Sequence, residues 1–235
     1  MVARAETKTP VHGQPLDPDA WLAAVSDGRS DAELKYIGDA LEQARQAHQA
    51  QTRASGEPYL MHCLAVAEIV HHLNLDHKAI AGAILHDVGK IGIPDSILQK
   101  PDRLSREERQ VMNSHTVLGR HIVDDLIANF GFELVPYIDY LRHIAELHHE
   151  SMDGSGYPHG LRGEEISLDA RIVAVSDVFD ALTTCRPYKE PWSNAHAFAM
   201  LKLLSIDKLD KGCVSALIDS PNEVAMIQQQ FAEVA

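Results

Sequence analysis

Apolar residues recur along this chain at intervals of three and four, and few windows alternate with period two over a strand's length. From residue 30 the pattern predicts helices at roughly 31–51, 60–74, 77–89, 106–128, 133–150, 168–184, 194–204 and 221–233. Ser30 with Glu33 and Ser105 with Glu108 have capping-box spacing and mark two helix starts. Ser220-Pro221 marks another, with proline at the first helical position. The run "RIVAVSDVF" reads as a buried strand in isolation; its continuation through "DALTT" favours a helix by length. Residues 1–29 carry Pro10, Pro15 and Pro18 and little periodicity, so a loosely ordered leader with one short helix near Asp19–Val25 is expected. The expected fold class is all-α: a single helical domain over residues 30–235, with Gly- and Pro-rich loops near 91–105 and 151–167.

Composition and charge narrow the partners. No run of 18 apolar residues exists to span a membrane, and the N-terminus has no apolar stretch of the secretory kind. Cys63, Cys185 and Cys213 lie far apart without a CxxC, so neither a disulfide framework nor a cysteine zinc site is expected; a reducing cytoplasm fits. The net charge of −13 repels long polyanions and argues against general DNA or RNA binding. A small phosphate ligand is still compatible, because local cations outweigh a distant field across a screening length. Fourteen histidines stand out, and the question is which of them converge.

In "AIAGAILHDVGKIGIPD", helical spacing crowds His86, Asp87 and Lys90 into the last turn of an apolar helix. A carboxylate there is costly unless paired or bound to a cation. A metal ligand and a plain Asp87–Lys90 ion pair with His86 as a cap are evenly matched readings. Asp177 and Asp180 interrupt another apolar helix with no lysine or arginine one turn away, so a cation should meet at least one; spacing does not choose between them. His62 shares a stripe with Val66, Ile69 and Leu73, and His115 lies with Met112, Leu118 and Gly119; a lone histidine in such a place is more often a satisfied core residue than a ligand. In "HHESMDGSGYPHGL", His148 and His149 point about 100° apart on a helix, which suits a pair of metals better than one. The other nine histidines are read as solvated or capping, with His121 and His143 nearest the proposed ligands.

The ordered segments "LHDVGKIGIPDSILQKPDRLSREE", "MNSHTVLG" and "HHESMDGSGYPHGLRGEEISLDARIVAVSDVFDALTTCRPYK" resemble an HD-GYP domain, a branch of the HD phosphohydrolase superfamily, over about residues 60–205. The resemblance implies an HD-type helical bundle with a GYP loop and metal ligands at His62, His86, Asp87, His115, His148, His149 and Asp177, with Asp87 bridging. It implies Lys90 near the metals and attacking water, and Tyr157, Arg186 and Lys189 as contacts to substrate phosphates. The implied activity is a phosphodiesterase that hydrolyses cyclic di-GMP to linear pGpG or GMP. Metals would lower the pKa of a bridging water and make hydroxide available near neutral pH.

Three departures bear on this reading. Three-metal members have a glutamate four residues before the first histidine, where this chain has Pro58, with Glu57 one place off. Two divalent metals are therefore expected, Fe or Mn ahead of Zn or Ni. The stretch "GEPYLMHCLAVAEIVHHLNLDHKAIAGAILHDV" is similar to the hydrolase end of the (p)ppGpp synthetase/hydrolase family, which keeps a (p)ppGpp or other nucleotide phosphohydrolase as an alternative. The span from His115 to His148 is longer than usual, with "NFGFELVPYIDY" as added length. Competing readings are a non-catalytic nucleotide-binding adaptor and, on Tyr59 near His62, a di-iron oxygenase. The partners expected are a cyclic dinucleotide and a signalling protein or a second copy of the chain.

Overall fold

The computed structural model describes residues 17–53, 56–130, 138–184 and 190–230. Among them the chain is helical throughout, with only isolated bridges at Thr52–Pro58 and Asp153–Arg162. The helices are α1 (Pro18–Ala24), α2 (Asp31–Ala47), α3 (Tyr59–His72), α4 (His77–Leu85), α5 (Asp95–Leu98), α6 (Arg106–Asn113), α7 (His115–Phe130), α8 (Ile138–Leu147), α9 (Leu168–Thr183), α10 (Asn194–Leu204), α11 (Lys211–Ile218) and α12 (Pro221–Gln230). The two serine–glutamate pairs close as capping boxes at the starts of α2 and α6, and Pro221 opens α12.

Burial follows from composition. The sequences of α3 and α4 are apolar nearly all round, and the two helices are buried from Cys63 to Val70 and from Ala79 to Leu85. Helix α4 is rich in Ala and Gly, so α2, α3 and α8 pack closely against it. One core joins α1–α4, α7, α8 and Val173 of α9; a second joins Ile69 of α3 to α9–α12. From Asp17 on, the segment expected as a loose leader contributes Trp21 and Val25 to the first core. The Trp21 indole N–H donates to the buried Glu68 carboxylate at 2.6 Å.

Three details differ from expectation. The helix expected over 106–128 breaks at Ser114, whose hydroxyl donates to the Val111 carbonyl at 2.7 Å; the chain restarts at His115, which faces inward. Helix α11 was not expected, because eight residues beginning Lys-Gly carry too little periodicity; Asp210 caps it by accepting from the Cys213 amide at 2.9 Å. Helix α8 stops at Leu147, so His148 and His149 lie in the turn just beyond it.

Candidate metal centre

The centre of the site is Asp87, which follows α4 and is 1% exposed. After it the chain makes a 3₁₀ turn over Val88–Gly92, laid directly on the start of α7. A Cβ on Gly89 would stand 1.9 Å from the His115 carbonyl and 2.4 Å from the Gly119 amide, so only glycine lets these backbones touch. That contact brings Asp87 beside His115.

The two carboxylate oxygens face different partners. Oδ1 lies 3.3 Å from His115 Nε2 and 3.7 Å from His148 Nε2. Oδ2 lies 3.3 Å from His86 Nε2 and 3.5 Å from His62 Nε2, and it accepts from Lys90 Nζ at 2.7 Å and Tyr59 OH at 2.8 Å. His62 Nε2 also meets Asp177 Oδ1 at 3.2 Å. Two groups of ligand atoms, each within 4.8 Å, thus share Asp87: one with His62 and His86, the other with His115, His148 and His149.

The rings are oriented from behind. Nδ1 of His86, His115 and His148 donates to the carbonyls of Ala83, Met112 and Ile144 at 2.7, 2.7 and 2.9 Å. A carbonyl only accepts, so each Nδ1 carries a proton, which leaves each Nε2 as the nitrogen turned toward Asp87. His62 differs: its Nδ1 meets Asp180 Oδ2 at 2.7 Å. Asp177 and Asp180 both point inward, one at each nitrogen of the same ring. The cation near Asp180 is Arg53, with Nη1 3.3 Å away, from a turn that carries no periodic signal.

This donor set suits metal ions. His86 Nε2 and Asp87 Oδ1 are buried without a hydrogen-bond partner, a costly state for a polar atom that a cation would relieve. Nitrogen and carboxylate donors without thiolate match Fe, Mn, Zn or Ni. Glu57 belongs to neither ligand group and lies 3.6 Å from Arg53 Nη1.

Electrostatics divide the site. Burial opposes ionisation of Asp87, yet Lys90 and His86 hold its carboxyl well below the usual range. Burial and Arg53 press His62 downward, but the Asp180 and Asp177 carboxylates outweigh them and raise it to about 10. Burial drives His148 down to about 4 and holds His149 low as well.

The loop after α8 forms the lip. A Cβ on Gly156 would meet the Glu150 backbone at 2.5 Å, so the loop folds back on itself there. The buried Glu150 carboxylate accepts from the amides of His159, Gly160 and Leu161 at 2.7, 3.1 and 3.0 Å. The Tyr157 amide donates to the His149 carbonyl at 3.2 Å, and the two rings are 4.9 Å apart. From the turn after α10, Lys208 Nζ donates to Asp153 and Ser155, each at 2.6 Å. His149, Asp177, Lys90 and Tyr157 are half-buried while the other proposed ligands are buried, so the opening lies on their side.

The structure therefore brings His62, His86, Asp87, His115, His148, His149 and Asp177 together, with Lys90 and Tyr157 at the edge. Arg186 and Lys189 lie outside the described residues. Sequence reasoning passed over Arg53, Glu150 and Lys208, and read His48 as solvated or capping. His48 is 3% exposed, stacks on Tyr59 at 5.0 Å and meets Gln51 Oε1 at 2.8 Å through Nδ1.

The cyclic di-GMP phosphodiesterase response regulator RpfG of Xanthomonas campestris is 45% identical over 150 residues, covering 64% of this chain and 38% of that protein. The 3′3′-cGAMP-specific phosphodiesterase 2 of Vibrio cholerae is 37% identical over 155 residues, covering 66% and 28%. The chain thus spans about a third of the length of such relatives. An HDG"Y"P protein of Bdellovibrio bacteriovorus shares the fold at a TM-score of 0.55 and 16% identity, covering 87% of this chain and 78% of its own. The HD domain of the Listeria monocytogenes phosphodiesterase PgpH, solved with cyclic-di-AMP, does so at 0.51 and 16%, covering 85% and 98%. The HD domain profile matches residues 39–212, most of the two helical cores and every proposed metal ligand. With its HD-GYP-type motifs in order around one shared carboxylate, the chain belongs to the HD domain family.

Proposed function

We propose that residues 30–235 act as a metal-dependent phosphodiesterase on a cyclic dinucleotide, cyclic di-GMP first, giving linear pGpG or GMP. The observation that carries the reading is the Asp87 carboxylate, which turns one oxygen to each of two imidazole groups. In this reading His62, His86, Asp87 and Asp177 hold one divalent ion, and Asp87, His115, His148 and His149 hold a second. Fe or Mn is favoured over Zn or Ni. Two ions rather than three is supported by Glu57, which faces Arg53 outside both groups. Bound there, the ions supply Lewis acidity and a water-derived nucleophile at neutral pH.

The chain's own groups do the rest. Lys90 donates to Asp87 and to the Tyr59 hydroxyl at the mouth, where its ammonium orients the attacking water and offsets charge on phosphate. Tyr157 lies over His149 and borders the phosphate position. Arg186 and Lys189 are assigned to the substrate phosphates by their motif alone. A cytoplasmic setting goes with this reading; among the described residues no helix is long and apolar enough to cross a membrane.

A second substrate has specific support, since several relatives at 36–38% identity are named 3′3′-cGAMP-specific phosphodiesterases. The test is chromatography of products from Mn- or Fe-loaded protein given cyclic di-GMP, 3′3′-cGAMP and ppGpp at equal metal content. A linear dinucleotide or mononucleotide is expected from a cyclic substrate. Turnover of ppGpp alone, or of none, overturns the proposal.

A further inference from the structure

We propose that Arg53 is a positioning residue for this metal site: through Asp180 it fixes the ring of His62. The inference rests on the metal-site reading above.

Arg53 belongs to a narrow turn just ahead of α3. Its amide donates to the Glu57 carbonyl at 2.7 Å, the Tyr59 amide donates to the Gln51 carbonyl at 3.0 Å, and Thr52 bridges Pro58. Gln51 ties the same turn to the site, since its Nε2 donates to the Lys90 carbonyl at 3.1 Å. The backbone of Arg53 is thereby fixed relative to Asp87.

The Arg53 side chain is only 10% exposed and is turned toward Asp180. Burying a guanidinium is costly unless it is paired and hydrogen-bonded. Here it meets Asp180 Oδ2 at 3.3 Å, with Glu57 at 3.6 Å. Asp180 Oδ2 also receives His62 Nδ1 at 2.7 Å, and Oδ1 accepts from the Thr184 hydroxyl at 3.0 Å. Three donors thus immobilise one carboxylate, and that carboxylate aims His62 Nε2 at Asp87 and Asp177.

The other oriented imidazoles have no such arrangement. His86, His115 and His148 are held by carbonyls of the preceding helical turn, which do not swivel. A carboxylate does swivel, so His62 needs a further group to hold its acceptor. Asp180 is one turn beyond Asp177 on α9, so the Arg53 contact also braces the helix that carries a second proposed ligand.

The experiment is Mn²⁺ titration calorimetry on the metal-stripped full chain, with Tm of the stripped protein measured alongside, for wild type, Arg53→Met, Arg53→Lys and Thr184→Val. Losing an outer partner of a metal-binding histidine typically costs about 10–100-fold in affinity, and Arg53→Met is expected in that range for one of the two Mn²⁺ ions. Arg53→Lys should recover part of the loss. Thr184→Val should show a smaller one, and it decides the matter if Arg53→Met does not fold. Wild-type Mn²⁺ affinity in a folded Arg53→Met, or in Thr184→Val if Arg53→Met does not fold, overturns the inference, whatever the Tm. A raised KM for cyclic dinucleotide at unchanged Mn²⁺ affinity overturns it too and makes Arg53 a substrate contact. A wild type that takes up no Mn²⁺ sinks the metal-site reading first.

Discussion

The two halves of the site are built by different means. Around His115 and His148 the imidazoles hang on carbonyls of the preceding turn, so helix geometry alone aims them. Around His62 the ring is set by side chains drawn from α9 and from the turn before α3. The first half inherits its precision from backbone hydrogen bonds. In the second, the Ala83 carbonyl holds His86 in the same way, but His62 depends on charges matched across long sequence distances, so that ring is the more sensitive to single changes outside the ligands.

The largest effect should come from the one residue both halves share. Asp87→Ala is expected to lose both ions and at least ~10³-fold of activity, well beyond the loss from an outer-shell change. It should also abolish any metal-dependent rise in Tm, since an ion that binds only the native state stabilises it. Metal content and Tm with and without Mn²⁺ check this. Retention of one full ion would mean that the halves do not share Asp87.

Next in size is the lip. Glu150→Ala removes the acceptor of three loop amides, at about 1–3 kcal/mol for each donor left buried and unmet. The loop carries Tyr157, so a KM raised about tenfold is expected, equivalent to about 1.4 kcal/mol, with both ions retained. Steady-state kinetics beside metal analysis separates this from damage to the metal site.

The halves should also titrate in opposite senses when stripped of metal. His62 is raised from 6.5 to about 10, so its contribution to stability is complete below pH 6.5 and fades as pH rises through 10. His148 is lowered from 6.5 to about 4, so its contribution is complete above pH 6.5 and fades as pH falls through 4. Tm of stripped protein should fall toward both limits, and His62→Gln should remove only the alkaline loss. At pH 7, ion uptake should expel a proton from the His62 side, measurable in a pH-stat. Release of none would erase the contrast.

The smallest effect should be Lys208→Met. Its ion pair with Asp153 is partly exposed and worth about 0–1 kcal/mol, so Tm should drop by no more than about 4 °C, with metal affinity untouched.

The same contrast explains what the sequence made legible. Helix existence followed from periodicity and from the serine–glutamate caps, which are local signals. His86, Asp87 and Lys90 were legible as a cluster because they lie within five residues, although α4 ends at Leu85 and a 3₁₀ turn carries Lys90. The break at Ser114 was not, because apolar spacing runs straight through it. Arg53 was invisible because its partner lies 127 residues away and its own turn has no period. Spacing alone did not choose between Asp177 and Asp180, because both face the same ring, one at each nitrogen; only the family resemblance singled out Asp177.

Lys90 sits 2.7 Å from the oxygen that two imidazoles also approach. That ammonium offsets a carboxylate that is 1% exposed, so the chain itself supplies part of the positive charge the pocket needs. If the proposed ions bind here, stripping them should leave the protein folded, and returning Mn²⁺ to the stripped protein should restore activity without refolding.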